Sequence, residues 1–125
     1  METAIKPSTA IVEDLDNQIL FCDETIKTAS QRMNALNYDG DDFNLAWNEY
    51  ASASVMLRHF ATLKGFVSDG EEALVENFIR FMIYRIELAT PAETLTASKP
   101  TDDPILNGKL IVYRKFKTYL KKISK

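Results

Sequence analysis

From Thr9 to Asn37 apolar side chains fall at Val12, Leu15, Ile19, Cys22, Ile26, Ala29, Met33 and Leu36. The steps alternate between three and four residues, which places one side chain per turn on a single seam of an α-helix. Glu13, Asp14, Asp16, Asn17, Asp23, Glu24, Lys27, Gln31 and Arg32 lie between them and make the opposite face wet. The spacing predicts a helix over 9–37, roughly 40 Å long at 1.5 Å per residue. Such a seam cannot be buried alone, so the rest of the chain must cover it. Residues 1–8 read as a disordered lead-in, with Ser8 or Thr9 as the cap and Glu13 and Asp14 near the positive helix end.

Asn37-Tyr38-Asp39-Gly40-Asp41-Asp42 reads as a turn, with Gly40 as the break and Asp41 or Asp42 capping a second helix over 42–64. Its seam reads Phe43, Trp47, Tyr50, Ser54, Leu57 and Ala61, widened by Ala46, Ala53 and Phe60. The small residues Ala51, Ser52, Ala53 and Ser54 permit close approach of a neighbour, expected to be the first helix at Ile19, Cys22 and Ile26. Gly65 stands where a left-handed C-terminal cap is wanted. Ser68-Asp69-Gly70-Glu71 fits a capping box opening a third helix over 69–90. That helix is apolar nearly all round, from Ala73 to Leu88, and is expected to be central or to border a second subunit. Pro91 ends it. Residues 91–103 carry turn formers and predict a surface loop, pinned by Leu95. Asp103-Pro104 is a cap followed by proline at the first helical position, opening a fourth helix over 104–123. Its seam is Ile105, Lys109, Val112, Phe116, Tyr119 and Ile123, flanked by Leu106, Tyr113 and Leu120. Asn107-Gly108 is also a hairpin signal, but only two apolar residues precede it and the pattern beyond Tyr113 is helical, so the helix is preferred. The expected fold is all-α: an up-down four-helix bundle formed by one domain over 1–125, with a longer loop before the last helix.

With 125 residues the chain is long enough to bury a core. Four Gly and four Pro leave few turn markers, which disfavours a many-stranded sheet. Cys22 is the only cysteine, so no internal disulfide can form. It falls on the first seam and reads as a small buried hydrophobe. No secretory leader is expected, and no stretch approaches 18 uninterrupted apolar residues, so neither is a membrane span. The expected setting is cytoplasmic. Net charge is −3 but unevenly spread. Residues 1–103 hold all 18 acids and eight of the 15 Lys and Arg, a net −10; residues 104–125 hold the other seven, a net +7.

No catalytic or ligand-binding signature rises above background. His59 is the only histidine, and the Glu-x-x-His pairs of a di-metal bundle are absent, Met56 standing where the Glu would be. Asp39, Asp41 and Asp42 lack calcium-loop spacing and are explained as turn and cap residues. No metal, cofactor or catalytic residue is expected. An enzymatic site would need Arg58, His59, Arg80, Arg85 or Glu49 to converge, whereas Glu76, four residues before Arg80, offers an internal partner instead. The leading expectation is a non-enzymatic interaction or adaptor protein that presents helix faces to a protein partner or to itself, as a homodimer. Phe78, Met82 and Arg85 are the candidate contacts, and Trp47, Tyr50 and Phe43 read as core. The alternative is nucleic-acid or anionic-surface binding through the basic helix 109–125, with Arg114, Lys115, Lys117, Lys121 and Lys122 as candidate anion contacts.

Overall fold

Proline lacks the N–H that a first helical position would leave unsatisfied, so a helix can begin on it. α1 does so, running Pro7–Ala35 in a computed structural model that describes residues 7–36, 40–68 and 71–124. Ser8 and Thr9 are therefore inside the helix rather than capping it; residues 1–6 of the expected lead-in lie outside the described residues. The Ser8 hydroxyl instead donates to Glu72 Oε1 at 3.2 Å. α2 spans Asp41–Ser68, α3 Glu72–Ala89, the single turn α4 Ala92–Leu95, and α5 Pro104–Ile123. The protein is an all-α helical bundle, and no strand occurs among the described residues.

The expected helix ends hold to within two residues except around the second turn. Gly65 does not close α2. No described glycine has a positive φ, and the helix continues through it to Ser68, which brings Val67 into the core. The third helix consequently starts later, capped by Glu71 with no side-chain bond; Asp69 and Gly70 of the expected capping box lie outside the described residues. At the first turn Gly40, not Asp41 or Asp42, precedes the helix, its carbonyl accepting from Asn44 N at 3.1 Å. The two aspartates sit in the first turn of α2, where negative charge suits the helix dipole. Asp103 caps α5 as its sequence implies, accepting from Ile105 N at 2.9 Å, and the Asn107-Gly108 pair is helical. The loop before α5 folds one turn, from which Leu95 packs against the core.

Cross-links between helices give their directions. Lys64 of α2 reaches Asp16 of α1 at 2.5 Å, and Arg32 of α1 reaches Glu49 of α2 at 2.6 Å, so these helices are antiparallel. Tyr113 of α5 donates to Glu87 of α3 at 2.9 Å. Phe60 of α2 packs on Phe116 of α5 with ring centroids 6.2 Å apart, while Ser52 donates to Pro104 O at 2.6 Å, so α2 and α5 run parallel. Successive long helices thus alternate in direction, yet α2 and α5, diagonal in an ideal up-down bundle, touch directly. Gly108 is buried at their crossing. A Cβ built there would lie 2.7 Å from the Ser52 carbonyl oxygen. The small residues of α2 do permit a close approach, and at Ser52 it is α5 that uses it.

One contiguous core draws on all four long helices. Of the first seam, Leu15, Cys22 and Ala29 are buried, Ile19 and Ile26 are half-buried against the core, and Ile11 joins them. The α2 seam is turned from its expected position. Ala46, Ala53, Met56, Phe60, Leu63 and Val67 face inward. Trp47 and Ala61 are exposed, Trp47 stacking on Tyr50 at 5.9 Å. Alanines at 46 and 53 let neighbouring backbones close in where a tryptophan could not fit. α5 keeps Val112, Phe116, Tyr119 and Ile123 inside, but Ile105 and Lys109 are exposed, Gly108 and Leu110 being buried instead.

Candidate functional surfaces

Part of the charged tail helix is turned back on its own chain. Lys115 Nζ lies 3.2 Å from Asp14 Oδ2, and the hydroxyl of Tyr119, almost wholly buried, donates to the same oxygen. Burial pushes the Asp14 carboxyl up, but the Tyr119 hydroxyl, the Lys115 ammonium and the nearby Lys122 outweigh it and hold the group below its usual range. Burial, reinforced by the Asp14 carboxylate, pushes the Tyr119 phenol far above its ordinary value. Arg114 donates to Ala97 O at 3.1 Å, and Lys117 sits 5.1 Å over the Tyr113 ring. Lys121 and Lys122 are exposed. Of the five candidate anion contacts, Lys115 is the one ion-paired to α1 among the described residues.

α3 is peripheral, and its apolar circumference divides cleanly. Val75, Ile79, Ile83 and Ile86 are buried. Phe78 is half-buried, its ring stacked on Phe66 at 4.3 Å, and Met82 is half-buried against the core. Arg85 is exposed, its guanidinium 5.6 Å above Phe81. The apolar side chains most open to solvent on this helix are Leu74, Phe81, Tyr84 and Leu88, at 50, 51, 57 and 66% exposure. Spacings of seven, three and four residues keep them on one outer face. The sequence marked α3 as too apolar for one neighbour but could not say which residues lay outward.

Of the five groups whose convergence an enzymatic site would need, two meet. His59 and Arg85 line a cavity of about 310 Å³ between α2, α3 and α5, and Lys109, read in the sequence as a seam residue, joins them. Phe81, Met82, Ile86 and Leu106 supply apolar walls, and Thr90 lines it where α3 ends. His59 Nδ1 lies 2.8 Å from Val55 O. A carbonyl only accepts, so Nδ1 carries the hydrogen of this bond. Arg80 is taken up by Glu76 at 3.0 Å, four residues back, and Glu49 by Arg32. Arg58 is exposed and does not line the cavity. A wider open groove of about 620 Å³ runs between α1, α2 and α5, with Phe21, Thr28, Met56 and Ile111 on its walls and the Arg32–Glu49 pair among its lining.

Cys22 is buried, and burial, helped by Asp23, pushes its thiol up to about 11, which leaves it inert as a nucleophile at neutral pH. Among the described residues no three His, Cys, Asp or Glu side chains gather as a metal site would require; Asp39 lies outside them. No helix among these residues is long and apolar enough to cross a membrane. No family model matches the chain, nor does any curated protein or solved structure.

Proposed function

We propose that this is an interaction protein that acts through its helix faces, and that the first face it uses is the outer side of α3, against a second copy of the same chain. The supporting observation is the exposed stripe Leu74, Phe81, Tyr84 and Leu88. The stripe is self-complementary. Leu74 and Leu88 stand seven residues either side of Phe81, and Ala73 and Ala89 stand eight. Two α3 helices packed antiparallel about a two-fold axis at Phe81 therefore set Leu opposite Leu and Ala opposite Ala. The same register puts Asn77 opposite Arg85 and Tyr84 opposite Phe78. A two-fold interface must match itself in this way, because each residue meets its mirror position on the other copy. Both Arg85 and Phe78, named from the sequence as contacts, fall within it; Met82 supports it from beneath.

Light scattering across a range of concentrations tests the reading. Wild-type chain should reach twice the single-chain mass, independent of salt, and Leu88→Glu or Phe81→Glu should return it to one copy with unchanged helicity. Phe81→Cys should cross-link to itself under mild oxidation, since the native Cys22 is buried. Leu74→Cys should cross-link only when Leu88→Cys is also present. A strictly single-copy mass at the highest concentration, or self-linking by Leu74→Cys alone, overturns it.

A further inference from the structure

We propose that the cavity between α2, α3 and α5 is a binding site for a small organic carboxylate with a flat or branched apolar body. The lining is of two kinds. Phe81, Met82, Ile86 and Leu106 form apolar walls, while Arg85 and Lys109 supply cationic groups, and no acidic side chain among the described residues lines the cavity. Arg80 and Lys115 are each spent on an internal carboxylate, whereas neither Arg85 nor Lys109 has an ion-pair partner within 4.0 Å among the described residues. Arginine presents a planar fork that matches a carboxylate at two points. Here its guanidinium lies 5.6 Å above Phe81, so cation and aromatic wall are adjacent, which suits a ligand whose charge sits next to its apolar part.

Thr90 is an independent pointer. Its residue is only 8% exposed, and its hydroxyl makes no hydrogen bond among the described residues. No fully enclosed side-chain polar atom goes unpaired among the described residues, so this hydroxyl is accessible, and Thr90 lines the cavity. His59 presents a second unused group, because Nδ1 is occupied by Val55 O and leaves Nε2 without a partner. Both groups are accessible and free to bond a ligand oxygen. The volume of about 310 Å³ lies at the small end of ligand sites, which favours a compact acid over a nucleotide or a lipid.

The single histidine is the reporter. At fixed pH, the His59 imidazole Cε1–H resonance is followed while phenylacetate is added, and 2-phenylethanol, phenethylamine and inorganic phosphate are added to parallel samples. Phenylacetate should give a saturable shift, at least tenfold stronger in affinity than its neutral analogue, with no saturable response to the amine or to phosphate. Arg85→Gln and Lys109→Gln should each weaken it about tenfold, and both side chains are exposed, so the fold is kept. Thr90→Val should weaken it less, with circular dichroism unchanged. An unmoved His59 resonance overturns the proposal. So does an equal response to the neutral analogue, which describes an apolar cleft only, or an equal response to phosphate, which describes an anion site without a body. Leu88 does not line the cavity, so Leu88→Glu protein should bind phenylacetate as well as the parent does. Phe81 and Arg85 belong to both surfaces, so Leu88→Glu, which opposes the pairing without touching the cavity, is the variant that tells failure of one reading from failure of the other.

Discussion

Gly108→Ala is expected to destabilise the protein, although alanine is the better helix former. In an exposed helix interior the exchange should gain about 1 kcal/mol. At Gly108 the added methyl would stand 2.7 Å from the Ser52 carbonyl oxygen, and 3.2 Å from both Ser52 Cα and Val55 Cβ. The first two are backbone atoms, so no rotamer change relieves the clash; α2 and α5 must separate. Overpacking of this kind costs about 1–3 kcal/mol. Separation also stretches the Ser52 hydroxyl to Pro104 carbonyl bond, 2.6 Å long, which is worth about 1 kcal/mol. The balance is a loss of about 1–3 kcal/mol. Gly65→Ala is the matched control. Gly65 lies inside α2, without positive φ, and a Cβ there meets nothing within 4 Å. This exchange should stabilise by about 0.5–1 kcal/mol. Urea unfolding followed by far-UV circular dichroism, at one protein concentration, measures both. The midpoints should move in opposite directions with similar slopes. A Gly108→Ala protein as stable as the parent would refute the close α2–α5 crossing and the parallel packing built on it.

The Asp14–Tyr119 link should shape stability at both ends of the pH range. Asp14 is held below its unfolded value near 3.9, so its contribution is present above that pH and is lost as the pH falls through the lower folded value; Asp14→Asn should flatten this acid limb. Tyr119 is raised above its unfolded value near 10, so its contribution is complete below pH ~10 and declines above it; Tyr119→Phe should remove that alkaline loss. Both are read from unfolding midpoints against pH, and unchanged limbs in the variants would contradict the assignment. Cys22, buried with its thiol at about 11, should react with a thiol reagent only at the rate of unfolding at neutral pH; prompt reaction of folded protein would place it at the surface. Phe60→Ala, at a fully buried ring packed on Phe116, should cost about 3–5 kcal/mol in the same urea assay, and a loss under ~1 kcal/mol would mean that the core closes elsewhere.

Much of the helical content was legible along the chain because its causes are local. A three-four spacing from Val12 to Met33, an aspartate before Pro104 and turn formers around Gly40 each act within a few residues. Local signals failed where two of them competed. Gly65 looked like a stop, but nothing downstream required the chain to turn there, and a helical glycine costs only about 1 kcal/mol, less than burying Val67 returns. The candidate cavity was half legible. His59 and Arg85 could be named as chemistry-bearing, but Lys109 was hidden on an apparent core seam, and Thr90 read only as the last residue of the third helix.

What hydrophobic period, caps and breakers decided unaided is that this chain makes long amphipathic helices with one shared interior. Periodicity repeats along one helix axis and carries no information about the angle at which the next helix approaches. Which face of α2 turns inward, which side of α3 remains wet and where His59, Arg85 and Lys109 meet were therefore decided only by packing all four long helices together. One close point of that packing is Gly108 on Ser52, a contact between residues 56 apart in the sequence, possible because Gly108 has no side chain to hold the two backbones apart.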